Sequence, residues 1–300
     1  MLSILIPTYN YNVFPLVLEL QNQCNESRIE YEIIVLDDGS KTIFKENEQI
    51  NALENCQYLI NEVNRGRASN INTLAELSKF DYILILEADA FPSKKNYIQL
   101  YVDAIKHKPQ AVFGGVIYSE NKPQQNALLR WFYGKSRESK TLKQRIQNPN
   151  DIVFSWNLLL KKNIFLKNPF DSSIKTYGFE DLVFLKKLKQ NKVFIEQIEN
   201  TLVHQNEEES SFFIEKSKAA VLNLIQLYQK NILEPVDSSL LNTFETVKKL
   251  NLTNAVAKIF KYFENSLLKN LLSEKPSLFL FDLYRLGYFC QQIQLKTQQK

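Results

Sequence analysis

The sequence predicts an α/β fold: a mostly parallel sheet flanked by helices, followed by a small all-helical C-terminal region. Three observations predict it. Short apolar runs rich in Ile, Val, Leu and Tyr recur through the first half, as buried strands do. Stretches of helical length separate them, which is the spacing of right-handed βαβ units. After His204 the strand pattern stops, and the rest of the chain reads as successive helices.

The expected strands begin with LSILIP (2–7), YEIIVLDD (31–38), CQYLI (56–60), DYILILEAD (81–89) and AVFGGVIY (111–118). Between them the pattern predicts helices over 13–25, 42–54, 68–79 and 95–107. From 119 to 150 the chain turns polar and basic, with Trp131 and Tyr133 among Arg130, Lys135, Arg137, Lys140, Lys143 and Arg145. An excursion of this length reads either as a functional loop region or as a solvated pair of amphipathic helices. Strand character returns at IVFSWNLLL (152–160), KVFIEQ (192–197) and NTLVH (200–204). A helix is expected over 179–191, its acids at the amino end where the helix dipole favours them. The tail predicts helices near 210–231, 238–249, 252–272 and 277–294, with Pro235 and Pro276 as breaks. A boundary near 231–236 divides the chain into 1–231 and 232–300. The tail could pack on the main domain, pair with a partner or lie on a membrane. The apolar stretch SLFLFDLYRLGYFC fits packing better than membrane contact.

Composition bounds the function. Three hundred residues, 44% hydrophobic, suffice for a large core, and 37 Lys and Arg against 33 Asp and Glu leave a net charge of only +4. Such mild, dispersed charge argues against nucleic acid but permits peripheral contact with an anionic membrane. Three cysteines, Cys24, Cys56 and Cys290, have no metal-type spacing, so neither a structural disulfide nor a thiolate zinc site is expected. No apolar run reaches a membrane span and the first strand starts at Leu2, so the expectation is a cytoplasmic protein.

In a parallel sheet, ligands bind beyond the carboxyl ends of the strands. Thr8 and Asn10 fall after the first strand, Asp37 and Asp38 after the second, and Glu87 and Asp89 after the fourth. Residues i and i+2 of an extended chain share a face, so Glu87 and Asp89 are expected side by side. Such a pair suits Mg²⁺ or Mn²⁺ completed by substrate phosphates; it suits equally two solvated acids in a turn before Pro92. Asp38 can accept a bond from a base or ribose, and Thr8 and Tyr9 can hold a flat ring. The same Asp38, Gly39 and Ser40 also read as a simple turn with a helix cap. Glu180 and Asp181 open a helix in YGFEDLVF, where a carboxylate can serve as general base or merely favour the dipole. His204 at the end of NTLVH is a natural further ligand for a carboxylate-held cation, or an ordinary core histidine. His107, at a helix end, reads as structural.

Taken together, SILIPTYNYN, EIIVLDDGS, NRGRASNIN, ILILEADAFPS, FSWNLLLKKNIF and IKTYGFEDLVFLKKLKQNK resemble, in order and spacing, a family 2 type glycosyltransferase of the GT-A, Rossmann-like fold. The later motifs are similar to the galactosyltransferase-like branch, with an Asn-containing strand and then Gly-Glu-Asp opening a helix. The resemblance covers about 1–206. It implies a nucleotide-sugar-binding half over 1–118 and an acceptor half over 119–231. Pro7, Thr8 and Tyr9 match the segment holding the base, and Asp38 the acid that reads uracil. Asn64, Gly66 and Arg67 match the stretch contacting ribose and diphosphate. Glu87 and Asp89 fall on the family's Asp-x-Asp, with Asp89 the ligand for Mn²⁺ or Mg²⁺ and His204 the histidine completing that site. Asp181 matches the catalytic base, with Glu180 binding the acceptor.

Two positions depart from the pattern. Glu87 is one methylene longer than the usual Asp, and Phe179 stands where a second Gly is usual, adding bulk where the acceptor approaches. The resemblance therefore implies inverting, metal-dependent transfer from a nucleotide-diphosphate sugar, such as a UDP-sugar, to a hydroxyl of a glycan or glycolipid, in assembly of a bacterial surface polysaccharide. Two rivals stand beside it. One is a sugar nucleotidyltransferase, which wants a glycine-rich basic loop that PTYNYNVFP lacks. The other is a non-catalytic nucleotide-sugar-binding or scaffold protein, decayed at Glu87 and Phe179, with the helical tail as its working surface.

Overall fold

A computed structural model describes residues 1–147, 154–205 and 208–298. The chain divides into two compact units. The first comprises Met1–Ser119, Glu138–Lys175 and Phe184–Asn206, the second Glu120–Arg137, Thr176–Val183 and Glu207–Lys300.

The strands are β1 (Leu2–Thr8), β2 (Tyr31–Asp37), β3 (Cys56–Ile60), β4 (Tyr82–Ile85), β5 (Ala90–Pro92), β6 (Ala111–Phe113), β7 (Val116–Tyr118), β8 (Leu158–Lys161), β9 (Ile195–Gln197) and β10 (Leu202–His204). The helices are α1 (Phe14–Glu26), α2 (Lys45–Glu48), α3 (Arg67–Leu77), α4 (Tyr97–Lys106), α5 (Leu128–Tyr133), α6 (Leu142–Gln147), α7 (Lys162–Lys167), α8 (Glu180–Gln190), α9 (Ser210–Gln229), α10 (Ser239–Lys249), α11 (Thr253–Leu271) and α12 (Leu278–Gln298).

The first unit holds a seven-stranded sheet of order β3-β2-β1-β4-β8-β6-β9. Strands β1 to β4 run parallel, β8 runs antiparallel to β4 and β6, and β9 parallel to β6. Every residue of β1 and β2 is buried, as expected of a sheet covered on both faces. The register sets Thr8 level with Asp37, so the loops after β1 and β2 leave from one edge. A second, three-stranded sheet of order β5-β10-β7 carries the chain segments that follow β4 and β6.

The expected α/β class and parallel core are as the sequence predicts, while several boundaries differ for local physical reasons. The strand expected over 81–89 ends at Ile85, and a turn closed by the Ala90 N–H donating to the Glu87 carbonyl at 3.3 Å separates β4 from β5. The run 111–118 breaks into β6 and β7 at Gly114–Gly115. A Cβ on Gly114 would lie 2.3 Å from the Asn200 carbonyl, and Gly115 has φ +90 with Arg145 Cζ 2.7 Å from the position of a Cβ. Only glycine permits that approach. The helix expected over 42–54 is the short α2 followed by a 3₁₀ turn, Gln49–Ala52. The strands expected over 192–197 and 200–204 shorten to β9 and β10, and that over 152–160 is β8, its first two expected residues lying outside the described ones.

In the second unit the core gathers Leu129 of α5, Ile214 of α9, Phe260 and Leu271 of α11, and Phe281 and Tyr284 of α12. Among the described residues, no helix is long and apolar enough to cross a membrane. Cys24, Cys56 and Cys290 are buried free thiols.

Candidate active site

The carboxyl edge of the parallel strands in the first unit is organised by Asp38. Its main-chain N–H donates to the Thr8 carbonyl at 2.9 Å, joining the ends of β1 and β2. Its buried carboxylate accepts from Asn61 Nδ2 at 3.0 Å, the Arg65 N–H at 2.9 Å and the Gly66 N–H at 2.7 Å. Three donors aimed at one carboxylate fix the loop from 61 to 66. Gly66, with φ +86, then turns the chain into α3, so that Arg67 is its first residue. Asn64 is exposed, its Oδ1 accepting from the Gly66 N–H at 3.2 Å. Asp37 has a different task, accepting from the Ser40 N–H and the Tyr58 hydroxyl, each at 2.7 Å.

The loop after β1 is tied to the loop after β2 through Asn10. Its N–H donates to Ser40 Oγ at 2.6 Å, and its Oδ1 accepts from the Lys41 and Thr42 N–H groups at 2.8 and 3.0 Å. Pro7 is buried in β1 and Thr8 at its end, while the Tyr9 ring is 42% exposed. Thr8 Oγ1 is buried with no hydrogen-bond partner among the described residues. A hydroxyl kept dry at a strand end is an available donor or acceptor for a ligand.

Glu87 and Asp89, expected side by side on an extended strand, instead lie between β4 and β5, each with its own partner. Glu87 accepts from Arg67 Nε at 2.8 Å and from Arg67 Nη2, which also donates to Ser155 Oγ at 3.1 Å. Asp89 lies beyond the turn, with its Oδ2 3.5 Å from His204 Nε2. The antiparallel pairing of β5 with β10 sets His204 opposite Ala90, and the Gln205 N–H donates to the Asp89 carbonyl at 2.8 Å. One carboxylate is thus paired with a guanidinium and the other with an imidazole. Their mutual repulsion, which the sequence pattern raised, is relieved by separate partners.

The imidazole is fixed by its surroundings. Tyr118, level with His204 across the β7–β10 pairing, stacks on it with centroids 5.0 Å apart and planes at 22°, and Trp156 lies 6.3 Å away. The Tyr118 hydroxyl donates to Glu138. The Tyr11 hydroxyl is held above the ordinary tyrosine range by burial and then by the negative charge of Asp89.

This donor set suits a divalent cation. Cis ligands of an octahedral ion at about 2.1 Å lie about 3 Å apart, close to the observed 3.5 Å between the Asp89 oxygen and the His204 nitrogen. Among the described residues, no cluster of three or more His, Cys, Asp or Glu side chains forms a complete protein cage. A pair of protein donors leaves the remaining positions to substrate oxygens and water, as hard cations on phosphate substrates require.

Two residues that the sequence did not single out build the support for this edge. Arg145 is 1% exposed, its Nη1 donating to the Phe113 carbonyl at 3.3 Å and to Gln197 Oε1 at 2.9 Å. Its Nη2 donates to the carbonyls of Gly114 at 3.2 Å and Ile198 at 2.9 Å. Asn157, also buried, accepts from the Tyr97 and Tyr101 hydroxyls at 2.6 and 2.7 Å and donates to the Gly115 and Asn200 carbonyls at 2.6 and 2.9 Å. Together they satisfy the backbone where the chain passes from β6 to β7, and so set β7 and its Tyr118. The only sequence signal was the Gly-Gly pair and the Asn of FSWN.

In the second unit, Glu180 and Asp181 are the first two residues of α8. The turn before them is unusual: Gly178 has φ +96 and Phe179 φ +69. Asn223 of α9 donates to the Gly178 carbonyl and, at 3.4 Å, to that of Thr176. A Cβ on Gly178 would lie 2.6 Å from Ala220 Cβ, so α9 holds this turn closely.

An α/β domain with a mostly parallel sheet, a carboxylate–imidazole pair at its strand ends and loops arranged around a buried acid has the architecture of a glycosyltransferase domain. Residues 3–167 match the model of the family described as glycosyl transferase family 2, and the chain belongs to that family. It is 25% identical over 268 residues to a chondroitin synthase of Escherichia coli, covering 77% of this chain and 38% of that protein. It is 29% identical over 202 residues to an uncharacterized glycosyltransferase of Haemophilus influenzae, covering 65% and 64%. The chain therefore spans under two fifths of the first relative and just under two thirds of the second. The crystal structure of S. aureus TarS 1–349 in complex with UDP matches with a TM-score of 0.50 at 16% identity, over 99% of this chain and 91% of that one, and so shares the fold.

Proposed function

We propose that the chain is an inverting glycosyltransferase that moves a sugar from a nucleotide diphosphate, most simply a UDP-sugar, to a hydroxyl of a glycan or glycolipid. The observation that carries the reading is the Asp89–His204 pair, 3.5 Å apart at the strand edge that also presents Arg67 and the dry hydroxyl of Thr8. Pro7, Thr8 and Tyr9 line the base, the Tyr9 ring offering a face for stacking. Asp38 reads the base edge and at the same time orders Asn64, Gly66 and Arg67 toward ribose and diphosphate. Glu87 holds the Arg67 fork in place. Asp89 and His204 hold Mn²⁺ or Mg²⁺, which supplies positive charge against that growing on the departing diphosphate.

Asp181 takes the proton of the acceptor hydroxyl as its oxygen attacks the anomeric carbon from the face opposite the leaving group. The new glycosidic C–O bond forms as the anomeric C–O bond to the diphosphate breaks, and the configuration inverts. Glu180 binds the acceptor, and Phe179 narrows the choice of acceptor. The machinery lies within 1–231. The resemblance of the motifs and the UDP bound to the TarS relative support this reading. A role in surface polysaccharide assembly on the cytoplasmic side is proposed on the same basis.

Calorimetry with UDP, with and without Mn²⁺, tests the reading. Binding that strengthens with Mn²⁺ supports it, and a screen of UDP-sugars for hydrolysis then identifies the donor. Binding without any metal effect would mean that Asp89 and His204 are not metal ligands. Failure to bind UDP at all would favour a non-catalytic scaffold.

A further inference from the structure

We propose that α11 of the second unit is a docking surface for an anionic lipid bilayer, on which the chain lies peripherally through one helix face. The inference does not depend on the reaction proposed above. Helix α11 buries Ala257, Phe260 and Leu271. Its opposite side leaves Tyr262 82%, Ile259 59% and Phe263 49% exposed, with the Tyr262 and Phe263 rings in edge contact at 4.8 Å. At 100° per residue, Ala255, Ile259, Tyr262 and Phe263 form one stripe of this exposed side, and Lys258, Lys261 and Lys269 form the adjoining stripe. An exposed aromatic stripe beside a row of lysines is the arrangement by which an interfacial helix sinks rings among acyl chains while its ammonium groups meet headgroups.

Charge favours this occupant. The one acid in the helix, Glu264, is partly buried, 3.5 Å from the Tyr284 hydroxyl, and is not on the exposed side. Elsewhere in the unit Lys216, Lys218 and Lys248 each pair with a glutamate at 2.7, 2.8 and 3.0 Å. Lys258, Lys261 and Lys269 are exposed, with no carboxylate partner among the described residues. A second copy docking on this face would bring two such lysine rows together, so self-association is opposed by the charge that attracts an anionic surface.

The test is co-sedimentation of the full chain with phosphatidylcholine vesicles, with and without phosphatidylglycerol. Binding is expected to the anionic vesicles and to weaken as salt rises. Each lysine near an anionic surface is worth about fivefold, so Lys258→Gln, Lys261→Gln and Lys269→Gln together should weaken binding on the order of 100-fold. Ile259→Ser with Tyr262→Ser, both at highly exposed positions, should also abolish most of it while leaving the thermal unfolding of the chain unchanged. Independently, the emission of a Tyr262→Trp variant, less that of the parent, should shift to the blue on anionic vesicles. Absence of binding to anionic vesicles would overturn the proposal. So would binding that survives both sets of substitutions, or a Tyr262-dependent dimer in sedimentation velocity that competes with the vesicles.

Discussion

Replacing Arg145 by methionine keeps most of the volume of its side chain and removes the guanidinium. The parent side chain is 1% exposed and makes four hydrogen bonds, to the carbonyls of Phe113, Gly114 and Ile198 and to Gln197 Oε1, at 2.9 to 3.3 Å. Its aliphatic stem and guanidinium also cover the Phe113 ring, with Cζ 5.4 Å from the centroid. Hydrogen bonds to a charged group contribute about 1.5–3 kcal/mol net each, but burying the guanidinium offsets much of their sum. The Phe113 and Gly114 carbonyls still accept from the N–H groups of Ile198 and Asn200, each at 3.1 Å, so what remains is the cost of leaving the Ile198 carbonyl and Gln197 Oε1 without the guanidinium, about 2–5 kcal/mol. Against a domain stability of about 5–15 kcal/mol this is a large fraction. Urea unfolding followed by circular dichroism should show the midpoint fall accordingly, with Arg145→Lys intermediate, because one ammonium cannot reach acceptors spread around a planar fork. The Mn²⁺-dependent increment in UDP binding should fall in parallel, since the clamp sets the strand that carries Tyr118 against His204. A loss of stability under about 1 kcal/mol would refute the assignment of Arg145 as the clamp of the β6–β7 crossing.

Four further outcomes follow from the same geometry. Asp181→Asn should leave UDP binding intact and lower turnover by about 10² to 10⁴, and normal turnover would remove it as the base. His204→Ala should abolish the Mn²⁺-dependent part of UDP affinity in calorimetry while metal-free binding persists; an unchanged increment would mean that the imidazole is not a ligand. Phe179 sits at φ +69, a region that glycine adopts freely and β-branched residues resist, so Phe179→Val should be less stable than Phe179→Gly by about 1–2 kcal/mol in thermal unfolding. Burial pushes the Cys56 thiol up to about 12 and the Cys290 thiol up to about 11. Both folded values lie above the ordinary thiol range, so the unfolded chain loses these protons first. Stability is then complete below about pH 8.5 and falls as pH rises above it, by at most about 1.4 kcal/mol per unit per thiol, and replacing Cys290 by serine should flatten that alkaline decline.

Much of the strand edge was legible because short Ile, Val and Leu runs leave few alternatives to buried strands, and their ends were marked by polar residues at Thr8, Asp38 and His204. The strand through Glu87 and Asp89 was read as too long for a definite reason. Leu86, Ala88 and Ala90 continue the apolar alternation past Ile85, and the turn there contains neither Gly nor an Asn-Gly signal, so local sequence favours four more residues of strand than the fold contains. Long-range partners accompany the end of the strand: Arg67 binds Glu87, and the pairing of β10 with β5 brings His204 to Asp89. Neither partner can be found by periodicity, which reads only neighbours along the chain.

The basic segment poses the same problem in reverse. Six cations between Arg130 and Arg145 look alike in composition, and a charged side chain is almost never fully buried unless its donors are satisfied. Arg145 differs from Lys135 or Arg137 only because the acceptors that satisfy it, at Phe113, Gly114, Gln197 and Ile198, arrive from two distant parts of the chain. The Gly114–Gly115 pair was the one local hint, since two glycines in a strand run mark a close approach of something else. A substitution that fills that space, Gly115→Ala, should therefore act like the loss of Arg145. The added Cβ would have to displace the guanidinium carbon 2.7 Å away, and it would do so at φ +90, which alanine resists. If Gly115→Ala and Arg145→Met were combined, the steric part of the first cost should shrink, because methionine ends short of the guanidinium carbon and Nη2 that the added Cβ strikes, leaving chiefly the backbone part. Strict additivity of the two losses would mean that the glycine and the arginine do not share this site.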